Sequence, residues 1–190
     1  MDFYGGWKKT WGDWGLDIGA IYYYYPGTNA SATTPFSPAS NIAPLFKVAT
    51  GRVDNTELYI GGSWKFLSLK YYHSVNDYFS APDTKNSHYL DFGATYDLGN
   101  GWGINGHIGN LKMKNMNNGS YSDWKIGVTK DIAGWVFAAA YVDTNAKGDC
   151  SATAINQFYC FSNGNFNGAV FDKTKDAGRS TIVVSVSKTF

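Results

Sequence analysis

Charged residues are scarce in this chain, as are cysteines and long apolar runs. Asp, Glu, Lys and Arg make up 16 % of the 190 residues, well below the roughly 25 % of soluble domains. The net charge of +1 gives no strong field to recruit nucleic acid or acidic ligands. No run approaches the ~18 apolar residues of a transmembrane helix, and no signal peptide is visible at the N-terminus. These scarcities exclude a helical membrane protein and argue against an ordinary water-facing surface.

Aromatic residues and glycine are abundant instead. Phe, Trp and Tyr reach 17 %, and there are 22 glycines. This combination is typical of a lipid-facing β-barrel with aromatic girdles. The mean hydropathy of −0.29 does not contradict it, because polar residues that face the lumen dilute the lipid-facing ones.

The last ten residues read as a closing barrel strand. Ile182, Val184 and Val186 alternate with polar or smaller residues, which is the period of two of a strand between unlike environments. Lys188 falls on the apolar phase, where its long side chain can reach the head groups. The chain stops on Phe190, which we take as the assembly signal for the barrel-assembly machinery.

Similar alternation predicts eight further strands. Tight turns between them alternate with longer connections, as in outer-membrane barrels with short periplasmic turns and longer extracellular loops. A lipocalin-like or sandwich protein would also show one apolar face, but not outward aromatics with so few charges. We therefore predict one domain over 1–190, an all-β transmembrane antiparallel up-and-down barrel in the bacterial outer membrane. The predicted strands lie near 3–8, 16–24, 57–66, 67–76, 89–96, 102–109, 123–129 and 135–143, with long extracellular loops at about 27–55 and 144–179.

The strand count has a topological consequence. Counting back about nine strands from a periplasmic Phe190 places Met1 at the extracellular rim, whereas a closed barrel of this type has an even number of strands. We therefore expect that at least one N-terminal strand is missing from this chain or is supplied by something else.

Several segments resemble one protein family. They include DFYGGWKKTWGDWGLDIGAIYYYYPG (2–27), TELYIGGSWKFLSLKYYHSVNDYF (56–79), SHYLDFGATYDLGNGWGINGHIG (87–109), YSDWKIGVTKDIAGWVFAAAYVDT (121–144) and the STIVVSVSKTF ending. Together they resemble the TorF-family porins, also called the Gcw_chp family of proteobacterial outer-membrane proteins. The resemblance implies a signal peptide, about three further N-terminal strands and about twelve strands in all, consistent with the even count.

The polar phase of the strands carries charges of both signs. We interpret these residues as lining the lumen of a porin-like channel for passive diffusion of small solutes or ions. In the alternative, opposite charges pair and plug the lumen, and the protein is a non-transporting structural protein or adhesin that displays its long loops. Inward tyrosines would form a stacking track or simply fill the interior. The lumen-lining candidates are Lys8, Asp17, Glu57, Lys65, Lys70, Asp91, Asp123, Lys125 and Asp143.

Catalytic and metal signals are weak. The run 101–106 fits G-x-G-x-x-G but lies in a β-turn-β context with no following helix. His73, on the outward face, and His107, on the inward face, lie in no recognisable Ser–His motif. We expect neither enzymatic activity nor a cofactor or metal site. The expected partners are outer-membrane lipid or lipopolysaccharide and the barrel-assembly machinery, and binding to a further copy of the chain is left open.

The two cysteines, Cys150 and Cys160, lie in one polar segment. They are close enough to form a disulfide, which would suit an oxidising periplasm or cell exterior, and the alternative is two unpaired thiols. With no histidine nearby they do not make a zinc site.

Overall fold

Nine antiparallel strands form one sheet in which each strand pairs with the next one along the chain. The computed structural model describes residues 1–30, 51–149, 158–162 and 174–189. The all-β class and the nine predicted strands are confirmed. The sheet consists of β1 (Asp2–Trp11), β2 (Trp14–Ala30), β3 (Gly51–Trp64), β4 (Leu67–Ser74), β5 (His88–Gly99), β6 (Trp102–Lys112), β7 (Tyr121–Ile132), β8 (Trp135–Thr144) and β11 (Thr181–Lys188), and a separate hairpin pairs β9 (Cys160–Ser162) with β10 (Thr174–Asp176).

Four two-residue hairpin turns lie at one end of the sheet, which we call the turn end. They join β1 to β2, β3 to β4, β5 to β6 and β7 to β8. In the third of these turns Asn100 and Gly101 have φ values of 53° and 76°, the left-handed pair whose twist matches the flanking strands. The strand ends that the longer connections join lie at the opposite end of the sheet, which we call the loop end.

The strands extend further toward the loop end than the sequence pattern predicts. β2 continues past Pro26 to Ala30, with a register shift between Tyr24 and Asn29, and β3 begins at Gly51. The predicted loop boundaries at 27 and 55 are therefore wrong, because strand pairing continues where apolar alternation has stopped. Residues 31–50 lie outside the described residues. The short strands β9 and β10 lie within the region predicted as the second long loop.

One face of the sheet is apolar and exposed. Thirty-three large hydrophobic side chains are exposed among the described residues, against four buried hydrophobic residues. All seven tryptophans of the chain are among the exposed ones, and the strand register places every one of them on this face. The strand register thus divides the sheet into an exposed apolar face and a polar face.

The described sheet is open. β1 and β11 are its two edges and do not pair with each other, and every residue of both strands is exposed. The interior strands differ, because their polar-face side chains are partly covered by neighbouring side chains.

The few buried residues lie near the loop end. Leu111, Met113 and Cys160 are each at most 3 % exposed. Beside them the Tyr159 ring packs edge-on against Tyr121 at 5.3 Å, and its hydroxyl donates to the Gly119 carbonyl oxygen. Burial raises the pKa of the Tyr159 hydroxyl, which keeps it a neutral donor. No helix among the described residues has the length and apolar character needed to cross a membrane.

Candidate functional site

A single row of register-paired residues crosses the polar face and contains five of its charged side chains. The row runs perpendicular to the strands from β1 to β8, one residue from each. We call it the charged row, and it consists of Lys8, Asp17, Gly61, Lys70, Asp91, Gly109, Asp123 and Thr144. It holds three carboxylates and two ammonium groups.

One ion pair in the charged row spans an intervening strand. Lys70 Nζ lies 2.8 Å from Asp17 Oδ2, with both side chains partly buried. Between them lies Gly61, where a Cβ would lie 2.6 Å from Lys70 Cγ. The same ammonium lies 4.5 Å from the Tyr59 ring centroid and 5.8 Å from that of Tyr72. The missing side chain at Gly61 therefore allows Lys70 to bind Asp17 while stacking on aromatic rings.

A second cluster in the charged row is acidic. Asp91 and Asp123 flank Gly109, and the His107 ring lies between the two carboxylates. His107 Nδ1 lies 3.1 Å from Asp91 Oδ1, and its Nε2 lies 3.6 Å from Asp123 Oδ1. The Tyr89 hydroxyl lies 3.0 Å and 3.1 Å from the two Asp123 oxygens. A Cβ at Gly109 would collide with that hydroxyl, so the cluster depends on glycine there.

A row of tyrosines lies immediately beside the charged row, on its loop-end side. Tyr59, Tyr72 and Tyr89 are register neighbours on β3, β4 and β5. Their ring centroids are 5.8 Å and 6.2 Å apart, within the range of favourable aromatic pairs. The Tyr59 ring leans over Gly19, where a Cβ would lie 2.6 Å from its hydroxyl. These three tyrosines form a continuous row, and the Tyr89 hydroxyl covers Gly109 of the charged row.

Two cavities open on the polar face. One of about 400 Å³ is lined by Lys8, Asp17 and Lys70 together with Tyr59 and Tyr72. The other, of about 340 Å³, lies toward the loop end and is lined by Glu57, Asp91 and several aromatic rings. Their volumes suit water, inorganic ions or small solutes.

Glu57 is the most buried charged residue on this face, at 6 % exposure. Its Oε1 accepts a 2.9 Å hydrogen bond from Asn55 Nδ2. Asn55 Oδ1 in turn accepts a hydrogen bond from the Ser74 hydroxyl. Within the described residues no cationic group lies within ion-pair distance of Glu57, so amide and hydroxyl groups provide its polar surroundings.

The structure places the predicted lumen-lining residues in different ways. Five of them share the charged row, namely Lys8, Asp17, Lys70, Asp91 and Asp123. Lys125 lies in the next row of the same face toward the turn end, and Glu57 lies two rows away toward the loop end, beyond the tyrosine row. The alternation of residues along each strand did not predict that Gly61 and Gly109 leave room for these charged side chains to meet.

Two of the predicted inward positions are wrong. Lys65 has a φ of 52° and lies in the β3–β4 turn, because β3 ends one residue earlier, at Trp64. Its Nζ lies 3.9 Å from Asp13 Oδ2 and 5.0 Å from the Trp64 ring centroid. Asp143 pairs in register with Trp124 on the apolar face. β8 is apolar on both sides, so alternation alone could not orient it.

His73 lies outside the charged row, on the apolar face. Its Nδ1 is 3.3 Å from the Tyr71 hydroxyl oxygen, and its Nε2 is 3.2 Å from Asn86 Oδ1. Among the described residues no group of three or more His, Cys, Asp or Glu is placed to hold a metal ion. Cys160 is buried, but Cys150 lies outside the described residues, so the disulfide stays a prediction. Phe190 also lies outside them.

The described strands thus form an antiparallel β-meander with an exposed apolar face and a charged, tyrosine-rich polar face. The chain belongs to the Gcw_chp family, which is described as a bacterial protein of unknown function, and the family model matches residues 1–190. No curated protein and no solved structure matches the chain.

Proposed function

We propose that this chain forms the wall of an outer-membrane β-barrel, a porin-like channel for passive diffusion of small ions or solutes. The observation that carries the proposal is the division of one sheet into an outward apolar face with all seven tryptophans and an inward face crossed by the charged row. Lipid would cover the first face and water the second.

The spacing of aromatic residues on the apolar face supports a membrane. Trp14 lies at the turn end of β2, and Tyr22 lies eight residues further on the same face. At ~3.3 Å per residue they are about 26 Å apart along the strand, or about 20 Å along the barrel axis at a tilt near 40°. On β8, Trp135 and Tyr141 are six residues apart on the same face, or about 15 Å along that axis. The separation on β2 is the closer of the two to the ~25 Å apolar band of outer-membrane barrels.

The proposal requires strand partners for β1 and β11. Unpaired backbone N–H and C=O groups in hydrocarbon cost several kcal/mol each, and both edges are open in the described sheet. We propose that further strands close the barrel, as the resemblance to TorF-family porins implies.

The charged row gives the proposed channel a weak preference for cations. Its three carboxylates outnumber its two ammonium groups by one, and Lys70 neutralises Asp17. Replacing Lys70 by Gln removes one positive charge and leaves Asp17 unpaired. A monovalent ion that passes about 5 Å from one unit charge has an interaction energy of ~0.8 kcal/mol with it in water, before salt screening. The substitution therefore stabilises a passing cation and destabilises a passing anion. The ratio of cation to anion permeability should rise several-fold.

Single-channel recording in planar bilayers tests this proposal. The refolded full-length protein should give discrete conductance steps, and Lys70→Gln should move the reversal potential in a KCl gradient toward the potassium equilibrium potential. Lys65→Gln is the matched control, because Lys65 lies in a turn rather than in the charged row, and it should leave the reversal potential unchanged. No conductance step at any voltage would refute the channel.

A second candidate is a non-transporting outer-membrane protein with a filled interior. The tyrosine row favours it, because Tyr59 and Tyr89 lean over glycines of neighbouring strands and occupy space on the polar face. Display of the long connections at the loop end would then be the function. Protein that inserts into the bilayer without conducting would support this alternative. In either case we propose lipopolysaccharide or lipid and the barrel-assembly machinery as partners.

A further inference from the structure

The cavity near the loop end of the polar face is both aromatic and acidic. It has a volume of about 340 Å³, and none of the nine described residues that line it is a Lys, Arg or His. Two of them are the carboxylates Glu57 and Asp91, and six carry aromatic rings, namely Tyr23, Tyr72, Tyr78, Phe79, Tyr89 and Tyr121. The other cavity of this face differs, because two lysines line it.

The connection between β4 and β5 contributes two of the six rings. Its 3₁₀ turn, Tyr78–Ser80, places the centroid of the Phe79 ring 5.5 Å from that of Tyr23 and 4.8 Å from that of Tyr78. The Tyr78 N–H donates a 2.8 Å hydrogen bond to the hydroxyl oxygen of Thr84, and Thr84 is completely buried. The connection therefore holds both rings against the wall of the cavity.

Glu57 has the capacity to bind a further group. An ionised carboxylate offers about four lone-pair sites, and Asn55 and Tyr23 each form one hydrogen bond to this one. No cation of the described residues lies within ion-pair distance of Glu57. A negative charge that is largely removed from water is costly without a counterion, so the cavity favours a positively charged occupant.

We propose that this cavity binds a small organic ammonium ion, with the charged head at Glu57 and the alkyl groups against the aromatic rings. The inference rests on the proposed function, because the cavity would lie in the channel, and it adds a class of solute to it. Aromatic faces attract cations through the ring quadrupole, and an alkylammonium ion also has apolar surface that the rings can cover. An inorganic cation of the same charge has no such surface.

Binding of tert-butylammonium, followed by saturation-transfer NMR, tests the site. The full-length protein is refolded in micelles of a nonionic detergent, which brings no ammonium group of its own, and the signal from empty micelles is subtracted. The neutral comparison ligand is tert-butanol, which has nearly the same shape. It should bind about ten-fold more weakly or less, because it lacks the charge-assisted hydrogen bond to the carboxylate. Potassium chloride at the same concentration as tert-butylammonium should displace little of it.

Substitutions identify the residues. Glu57→Gln removes the charge but keeps an acceptor for Asn55, and it should weaken the binding of tert-butylammonium about ten-fold or more while leaving that of tert-butanol nearly unchanged. Asp91→Asn should weaken it by a smaller factor, and it is the test variant if Glu57→Gln does not refold. The matched control is Asp97→Asn, which removes a carboxylate of the same face about 20 Å further along β5. It should leave the binding unchanged.

The outcomes separate the ammonium site from the channel. Equal binding of tert-butylammonium and tert-butanol would refute the site and leave the channel intact, as would an unchanged affinity in folded Glu57→Gln or, failing that variant, in Asp91→Asn. Efficient displacement by potassium would also refute the site, because the rings would then contribute nothing. Protein that binds tert-butylammonium in micelles but gives no conductance step in bilayers would support the site and refute the channel.

Discussion

Replacing Gly109 by Ala tests the packing of the polar face most sharply. Gly109 lies between Asp91 and Asp123 in the charged row and directly beneath Tyr89. A Cβ there would collide with the Tyr89 hydroxyl and lie 2.8 Å from Asp123 Oδ2. The Tyr89 ring cannot move freely, because it stacks on Tyr72 at 6.2 Å and binds Asp123.

The expected cost follows from these contacts. Either the ring stays and the site is overpacked, at about 1–3 kcal/mol, or it moves and loses a hydrogen bond to a carboxylate, worth about 1.5–3 kcal/mol. Alanine is better than glycine in a strand by roughly 0.5–1 kcal/mol, which offsets part of this cost. We expect Gly109→Ala to lower the free energy of unfolding by about 0.5–2.5 kcal/mol.

Urea unfolding in detergent micelles, followed by tryptophan fluorescence, measures this change. The control is Gly62→Ala on β3, where a Cβ would meet nothing within 4 Å. That variant should be as stable as the natural protein or slightly more stable. In a Tyr89→Ala background, the Gly109→Ala penalty should largely disappear, because the colliding ring is gone. An unchanged stability of Gly109→Ala, or an equal penalty in both backgrounds, would refute the proposed arrangement of Tyr89.

Three further predictions concern other parts of the fold. Ile126→Arg, at an apolar-face position that is 53 % exposed, should prevent insertion at a cost of about 2–4 kcal/mol, whereas Lys125→Arg on the polar face should insert normally in the same vesicle-flotation assay. Cys150 and Cys160 should resist alkylation in denaturant until a reductant is added, and a mass shift of two labels without reductant would contradict the disulfide. Burial raises the pKa of Tyr159, so the folded state holds its proton more tightly and stability should fall as pH rises above the ordinary value of about 10. Absorbance at 295 nm should show that Tyr159→Phe removes one late-titrating tyrosine, and an unchanged titration would contradict this.

Much of the strand pattern is predictable from the sequence, because each face has a different environment. Ile182, Val184 and Val186 share a face in the structure as their alternation predicts. The same period places Tyr59 and Tyr89 on the polar face. The alternation of apolar and polar residues gives no prediction where both faces of a strand carry similar residues. For this reason it did not predict the extension of β2 past Pro26, and it assigned Asp143 to the wrong face.

The candidate site was predictable only in part. Period-two counting assigns Asp17 and Lys70 to the polar face, but it carries no information about register between strands. Only pairing through Gly61 brings their charged groups to 2.8 Å. Lys65 shows the opposite case, because a turn that begins one residue earlier than the pattern suggests removes it from the face altogether.

The central claim is that lipid covers the apolar face, and the seven native tryptophans report on it directly. Each is at least 40 % exposed in the isolated sheet. In vesicles of brominated phosphatidylcholine, their fluorescence should be strongly quenched, most by bromines near the head groups, while aqueous iodide should have little effect. Strong quenching by iodide and none by brominated lipid would contradict the account.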